Sequence, residues 1–284
     1  MTTDDYPKET GFSFLSPDGE VLFEQEVGSM KEKNTEYPAS ICDLEPGSYE
    51  LIVEDGFGGI CCLEGEGKYV VDIDGRVILI GGRLRDKVVS HEIIVGFNPE
   101  MSDTDVAFHN AHNTRRKEFH ESQGVSFRPM AWSPALAASA LRWVTENAPT
   151  CTTTPEKGAN YGQNIASSKA VDPADFKPPV NAVGWWSDKY GADSTYPQNM
   201  QMTAVNWRSA LYVGCGTAVA EIEDSDPPRF CQLTSCRYAR TPNCEVDAGT
   251  WLQQTLDENE RLCGGVLCPE ADESGAIVEG ACHA

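Results

Sequence analysis

Three histidines stand close together near the middle of the chain: His109, His112 and His120. His109 and His112 are one helical turn apart, a spacing at which two imidazoles can share a metal ion. The same spacing serves a helix that packs its histidines against backbone, and packing with polar satisfaction is the expectation adopted for them. Serines are numerous, but none is paired with a visible base and G-x-S-x-G is absent. Hydrolysis therefore lacks an evident general base. Glycine-rich phosphate loops of the P-loop and dinucleotide kinds are absent as well. The expectation is a protein that is not an enzyme and that carries no metal or other cofactor.

Eleven cysteines carry the other chemistry. Cys61 and Cys62 are adjacent, and Cys231, Cys236, Cys244, Cys263, Cys268 and Cys282 crowd the last part of the chain, yet no paired C-x-x-C array of a zinc site occurs. Disulfides in an oxidising compartment are the better reading, and the odd count leaves one thiol free or paired between chains. The formal net charge of −22 excludes a nucleic-acid partner and an anionic membrane surface, because no basic stripe exists to release counterions. No apolar run is long enough to span a membrane. The first residues, Met1 to Pro7, are polar and acidic rather than a secretory leader, so the expectation of an extracellular protein implies a leader missing from this sequence.

The elements that must position these residues fall into two styles. Residues 12 to 97 read as all-β: Phe12–Leu15 and Val21–Phe23 flank a Ser-Pro-Asp-Gly turn, Ser48–Val53 alternates, and Tyr69–Ile73 meets Arg76–Ile80 across Asp74-Gly75. Val88 to Val95 supply a last strand. From Val106 the period becomes helical, with Phe108, Ala111, His112, Arg115 and Phe119 on one face and Ser102 or Asp103 as cap. Ser133-Pro134 caps a second helix with Leu136, Ala137, Ala140, Leu141 and Val144 inward. Asn181 to Tyr190 is a third, on which the adjacent Trp185 and Trp186 point about 100° apart, so that one can reach solvent. The stretch from Met200 to Gly216 reads as a buried strand, Phe230 to Tyr238 as another, and 250 to 262 as a possible helix. The fold class expected is α+β, an α-β-α sandwich preceded by an all-β sandwich or jelly-roll-like module. The domains expected are 1–98, 104–245 and an acidic Cys-rich tail at 246–284.

The second domain resembles the CAP superfamily (cysteine-rich secretory proteins, antigen 5, plant pathogenesis-related class 1). His112-Asn113-Thr114-Arg115-Arg116 matches His-Asn-x-x-Arg, and Met130 to Trp143 matches the family's Leu-x-Trp helix. Tyr161-Gly162-Gln163-Asn164-Ile165-Ala166 sits on Tyr-Gly-Glu-Asn-Leu-Ala. Thr203, Val205, Trp207 and Gly214-Cys215-Gly216 fit the run His-Phe-Thr-Gln-Val-Val-Trp and Gly-Cys-Gly, and Cys236-Arg237-Tyr238 fits Cys-Asn-Tyr. The first domain resembles a small module of secreted diatom and bacterial proteins through Cys42-x-Leu44-x-x-Gly47-x-Tyr49, Asp55 to Cys62 and Gly65-x-Gly67-x-Tyr69. There a structural glycine turn beside a disulfide is expected rather than a cation site on Glu54 and Asp55.

The CAP resemblance implies a cleft that in many members holds zinc on two His and two Glu. Position by position, no His lies between Cys151 and Asn160, the first Glu is Gln163, the second is Asp188 or Lys189, and the second His is Gln201. A neutral amide is a poor zinc ligand. The candidate ligand cleft is therefore Gln163, Asn164, Asp188, Lys189, Gln201 and Trp185, with Gln163 and Gln201 bonded to each other, to backbone or to water. The segment 167–180, where some members bind sterol through an aromatic loop, is expected to be a mobile proline-rich loop with only Phe176 as an aromatic. The resemblance also implies disulfides Cys215 with Cys236, Cys151 with Cys231, and Cys42 with Cys61 or Cys62. The expected function is a secreted binding protein for a lipid, sterol or other small ligand. The alternative is an adhesion or matrix protein whose β-module binds glycan or an extracellular protein; a divergent hydrolase using Gln163 or Asp188 is the third reading.

Overall fold

The computed structural model describes residues 1–56, 59–61, 65–82, 84, 86–96, 99–188, 195–223, 225–244, 246–257 and 265–283. The chain divides into two compact units, Met1–Asn98 with Gly280–Ala284, and Pro99–Asp257 with Cys263–Glu279. The tail expected at 246–284 is thus shared between the units instead of standing apart.

The first unit is all-β. Strands β1 (Thr10–Leu15), β2 (Val21–Gln25), β3 (Gly47–Asp55), β4 (Tyr69–Ile73), β5 (Arg76–Gly81) and β6 (Val88–Val95) are joined by β13 (Cys282–His283). Five of them form one sheet in the order β13-β6-β3-β1-β2, and β4 and β5 form a hairpin. The hairpin turn is Asp74-Gly75, with φ of 52° and 78° at the two positions, the left-handed pair a two-residue turn requires. Strand β3 alternates as its sequence demands: Tyr49, Leu51 and Val53 are buried. Tyr69 on β4 reaches His91 on β6 at 2.6 Å, which ties hairpin to sheet. Gly81 is obligatory beside it, since a Cβ there would lie 1.8 Å from the Tyr69 ring. Asp55, weighed above as an oxygen ligand, accepts from Thr10 Oγ1 and from the Gly59 N–H, which is a turn-closing role.

The second unit has three layers. Its sheet has the order β7-β9-β10-β8, built from β7 (Ala131–Trp132), β8 (Gly162–Ala170), β9 (Tyr212–Glu221) and β10 (Phe230–Ala239). Helix α2 (Pro134–Asn147) covers one face; α1 (Asp103–Ser122), α3 (Asn181–Asp188) and α4 (Met200–Asn206) cover the other, with α5 (Trp251–Leu256) beside α4. Ser102 and Asp105 form a reciprocal capping box on α1, and Ser133 Oγ caps α2 through the Leu136 N–H. Strand β10 shows why the sheet separates two cores. Cys231 and Leu233 pack with Trp143 and Val144 of α2, whereas Cys236 and Tyr238 pack with Phe108, Val183, Trp186 and Val205. The strands β11 (Pro269–Ala271) and β12 (Ile277–Glu279) make a small hairpin in this unit.

Two sequence expectations are corrected. Met200–Asn206 is a helix, and the strand begins only at Tyr212. Every residue from Met202 to Asn206 is buried, so no polar face marks a helical period, and such a run reads the same as a buried strand. Residues 167–170 belong to β8, paired with Phe230 to Leu233, so the connector after the strand is shorter than expected. Their polar side chains suit an edge strand, which is exposed along one side.

Candidate functional site

Strand periodicity decides where the candidate residues go. Gln163 lies opposite Arg237 and donates to Ser235 Oγ at 2.9 Å, while its Oε1 accepts the Glu156 N–H at 3.2 Å. This is the α2 face, where Arg237 also meets Ser139, Tyr161 and Glu156. The Tyr161 ring stacks on the Arg237 guanidinium at 4.4 Å, and burial, then its bond to Glu156, pushes its hydroxyl pKa up to about 12. Asn164, one residue on, faces the other way. Its amide donates to the Gln201 carbonyl at 2.9 Å and to the Tyr238 hydroxyl at 3.2 Å. The Gln201 side chain donates to the Ile165 carbonyl at 3.5 Å. Gln163 and Gln201 are therefore held on opposite faces of the sheet and do not form the shared polar cleft expected of them.

Asn164 heads a buried polar chain. Its partner Tyr238 lies 3.1 Å from His112 Nε2, and His112 Nδ1 lies 2.8 Å from the Phe108 carbonyl. The carbonyl accepts only, so Nδ1 carries the proton and Nε2 accepts from Tyr238. Burial lowers the His112 pKa to about 4, which keeps the ring neutral. His120 is held by the Asn206 carbonyl, and burial takes it to about 3. His109 Nε2 meets the Met130 carbonyl at 2.8 Å. Each of these histidines is thus engaged with backbone. His112 also lies near Cys215 and Cys236, a possible metal grouping among the described residues, but the two sulfurs are bonded to each other. Arg116, the last residue of the histidine motif, is fully buried and donates to the carbonyls of Arg128, Val205, Trp207 and Ala210. It fastens α4 and the approach to β9 onto α1, a role that counting ligands along the sequence does not reveal.

Trp185 and Asp188 come together elsewhere. On α3, Asn181, Gly184, Trp185 and Asp188 share the face turned toward Ala111, Thr114 and Arg115 of α1. Between them opens a cleft of about 730 Å³, with Val180 and Lys177 completing its wall. Trp185 is 44% exposed there while Trp186 is buried. Arg115 closes one side through Asp188 at 3.1 Å and Glu118 at 3.6 Å. A pocket of about 230 Å³ adjoins it through the shared Arg115 and Asp188, lined also by Phe119, Ser187, Met202 and Asn206. Among the described residues, Ser187 Oγ and Asn206 Oδ1 are buried there without a hydrogen-bond partner. The α1 contribution was missed from sequence; the one-turn pair Ala111 and Arg115, set against the 181, 184, 185, 188 stripe, was the available signal. Lys189 lies outside the described residues.

The disulfides Cys151–Cys231 and Cys215–Cys236 sit on opposite faces of the sheet. Cys61, Cys244, Cys268 and Cys282 are also oxidised. Cys42 is corrected: it is a free, exposed thiol, not the partner of Cys61 or Cys62. It sits in an irregular exposed segment before β3, whereas Cys61 is bonded elsewhere. Cys62 lies outside the described residues.

The sequence from residue 109 to residue 238, which runs from within α1 through most of β10, matches the family model of the CAP, cysteine-rich secretory protein family. Residues 109–238 form a CAP domain. No curated protein sequence matches the chain. Among solved structures, the Schistosoma mansoni venom allergen-like protein 4 is similar at 17% identity and a TM-score of 0.36, over 52% of this chain and 94% of that one. A hookworm platelet inhibitor is similar at 18% and 0.37, over 54% and 76%. NaASP2, solved with Zn2+, is similar at 15% and 0.36, over 51% and 84%. The matched residues lie within the α-β-α unit, and the all-β unit lies outside them.

Proposed function

We propose that the chain is a secreted, non-enzymatic binding protein whose CAP domain takes a lipid, sterol or similar small amphiphile in the cleft beside Trp185. The observation that carries this reading is the half-exposed indole of Trp185 on an open cleft between α1 and α3. An aromatic wall of that kind favours an apolar body with one polar end. Arg115 is already faced by Asp188 and Glu118, so it is engaged rather than left to pair with an anionic end. We also propose that this domain has lost the zinc set of its relatives. Gln163 and Gln201 are neutral amides on opposite faces of the sheet, a donor set unsuited to a divalent cation. The oxidised cysteines support an extracellular setting. Among the described residues, no helix is long and apolar enough to cross a membrane. The test is equilibrium binding of cholesterol and of palmitate to the full chain, with and without added zinc. Saturable cholesterol binding that zinc leaves unchanged is expected. Absence of saturable binding, or binding only with zinc, overturns the reading.

A further inference from the structure

A second cavity lies wholly inside the all-β unit. It has a volume of about 160 Å³ and lies between the inner face of the five-stranded sheet and the β4 strand. Phe12, Phe14 and Phe23 form its aromatic side, with Leu51, Val53 and Ile93 from the same sheet and Val71 and Ile73 from the hairpin. Phe12 stacks on Phe23 with centroids 5.5 Å apart, so the rings stand as a fixed wall. These phenylalanines are only partly buried, unlike Leu51, Val53 and Ile93. The unit therefore folds around its aliphatic residues and leaves ring surface facing a space.

Size and chemistry point to one kind of occupant. A protein cavity of about 150 Å³ lined by aliphatic and aromatic side chains holds one benzene-sized guest. Asp72 on the lining is exposed. Moving a charged group between these hydrocarbon walls would leave it without compensation. We propose that the all-β unit is a second, independent binding module for a small, neutral, ring-sized apolar molecule, seated between β1, β2 and β4. The exposed rim residue Ala39, near the free thiol Cys42, marks its mouth.

Toluene is the probe. Saturation-transfer NMR on the full chain should show one saturable site, and intermolecular NOEs should run from toluene to the Phe12, Phe14 and Phe23 rings. Ala39→Trp plugs the mouth from an exposed position and should weaken binding by about tenfold or more with an unchanged circular dichroism spectrum. Val71→Phe, from inside, should do the same. Val219→Ala, at an exposed position of the other unit, should leave toluene binding unchanged. No saturable signal, no NOE to these rings in the unsubstituted protein, or loss in Val219→Ala with retention in Ala39→Trp overturns the proposal.

Discussion

At the scale of single residues, buried polar groups set the chemistry of the CAP domain. His112 and His120 are locked neutral by burial, with pKa values of about 4 and about 3. Both lie below the ordinary imidazole value, so the unfolded chain takes up protons first as the pH falls. Their contribution is fully present above pH about 6.5 and is lost as the pH falls toward the two folded values, at roughly 1.4 kcal/mol per pH unit for each ring. Urea unfolding should show a loss on the order of 3 kcal/mol between pH 7 and pH 5; a flat profile over that window contradicts the assignment. The histidine motif was legible as a helix face, and the expectation that these rings pack suits the bonds observed. The amides were not legible. Gln163 and Gln201 looked like neighbours because a resemblance aligns positions, whereas the direction of a side chain follows from strand parity and from the face a helix presents.

At the scale of elements, close approach of backbone explains what the sequence announced and what it hid. Gly214 and Gly216 let β9 run directly under α2: a Cβ at Gly216 would fall 2.3 Å from the Leu141 nitrogen. Gly216→Ala should therefore lift α2 and cost about 1–3 kcal/mol in denaturant unfolding. Gly184 is the contrasting case, since a Cβ there meets only side-chain ends, Arg115 at 3.5 Å and Asp188 at 3.6 Å. Gly184→Ala in α3 should stabilise by about 0.5–1 kcal/mol; equal effects at the two positions would contradict this packing. The capped helices α1 and α2 and the hairpins β1–β2 and β4–β5 were readable because caps, turns and alternation coincide there. Helix α4 was not, because burial on all sides erases the period. The end of β8 was hidden by the polar side chains of an edge strand.

At the scale of the whole molecule, the chain carries two units of different chemistry. One is a disulfide-braced CAP domain with an open cleft walled by Trp185; the other is an all-β unit with a smaller, ring-lined cavity. The net charge of −22 sets both against anionic partners, in line with neutral ligands for each. The two units meet in sequence near residue 98, where the pattern changes from a two-residue to a helical period. The sharing of the last residues between the units was not, since only the folded chain shows β13 returning to β6. The central claim is that the CAP domain binds through Trp185 and not through the positions of a zinc set. It is tested most directly by titrating cholesterol into the full chain, Trp185→Ala and a Gln163→Ala variant side by side. The account predicts about tenfold weaker binding for Trp185→Ala and unchanged affinity for Gln163→Ala. Unchanged binding in Trp185→Ala, with loss in Gln163→Ala, would contradict it.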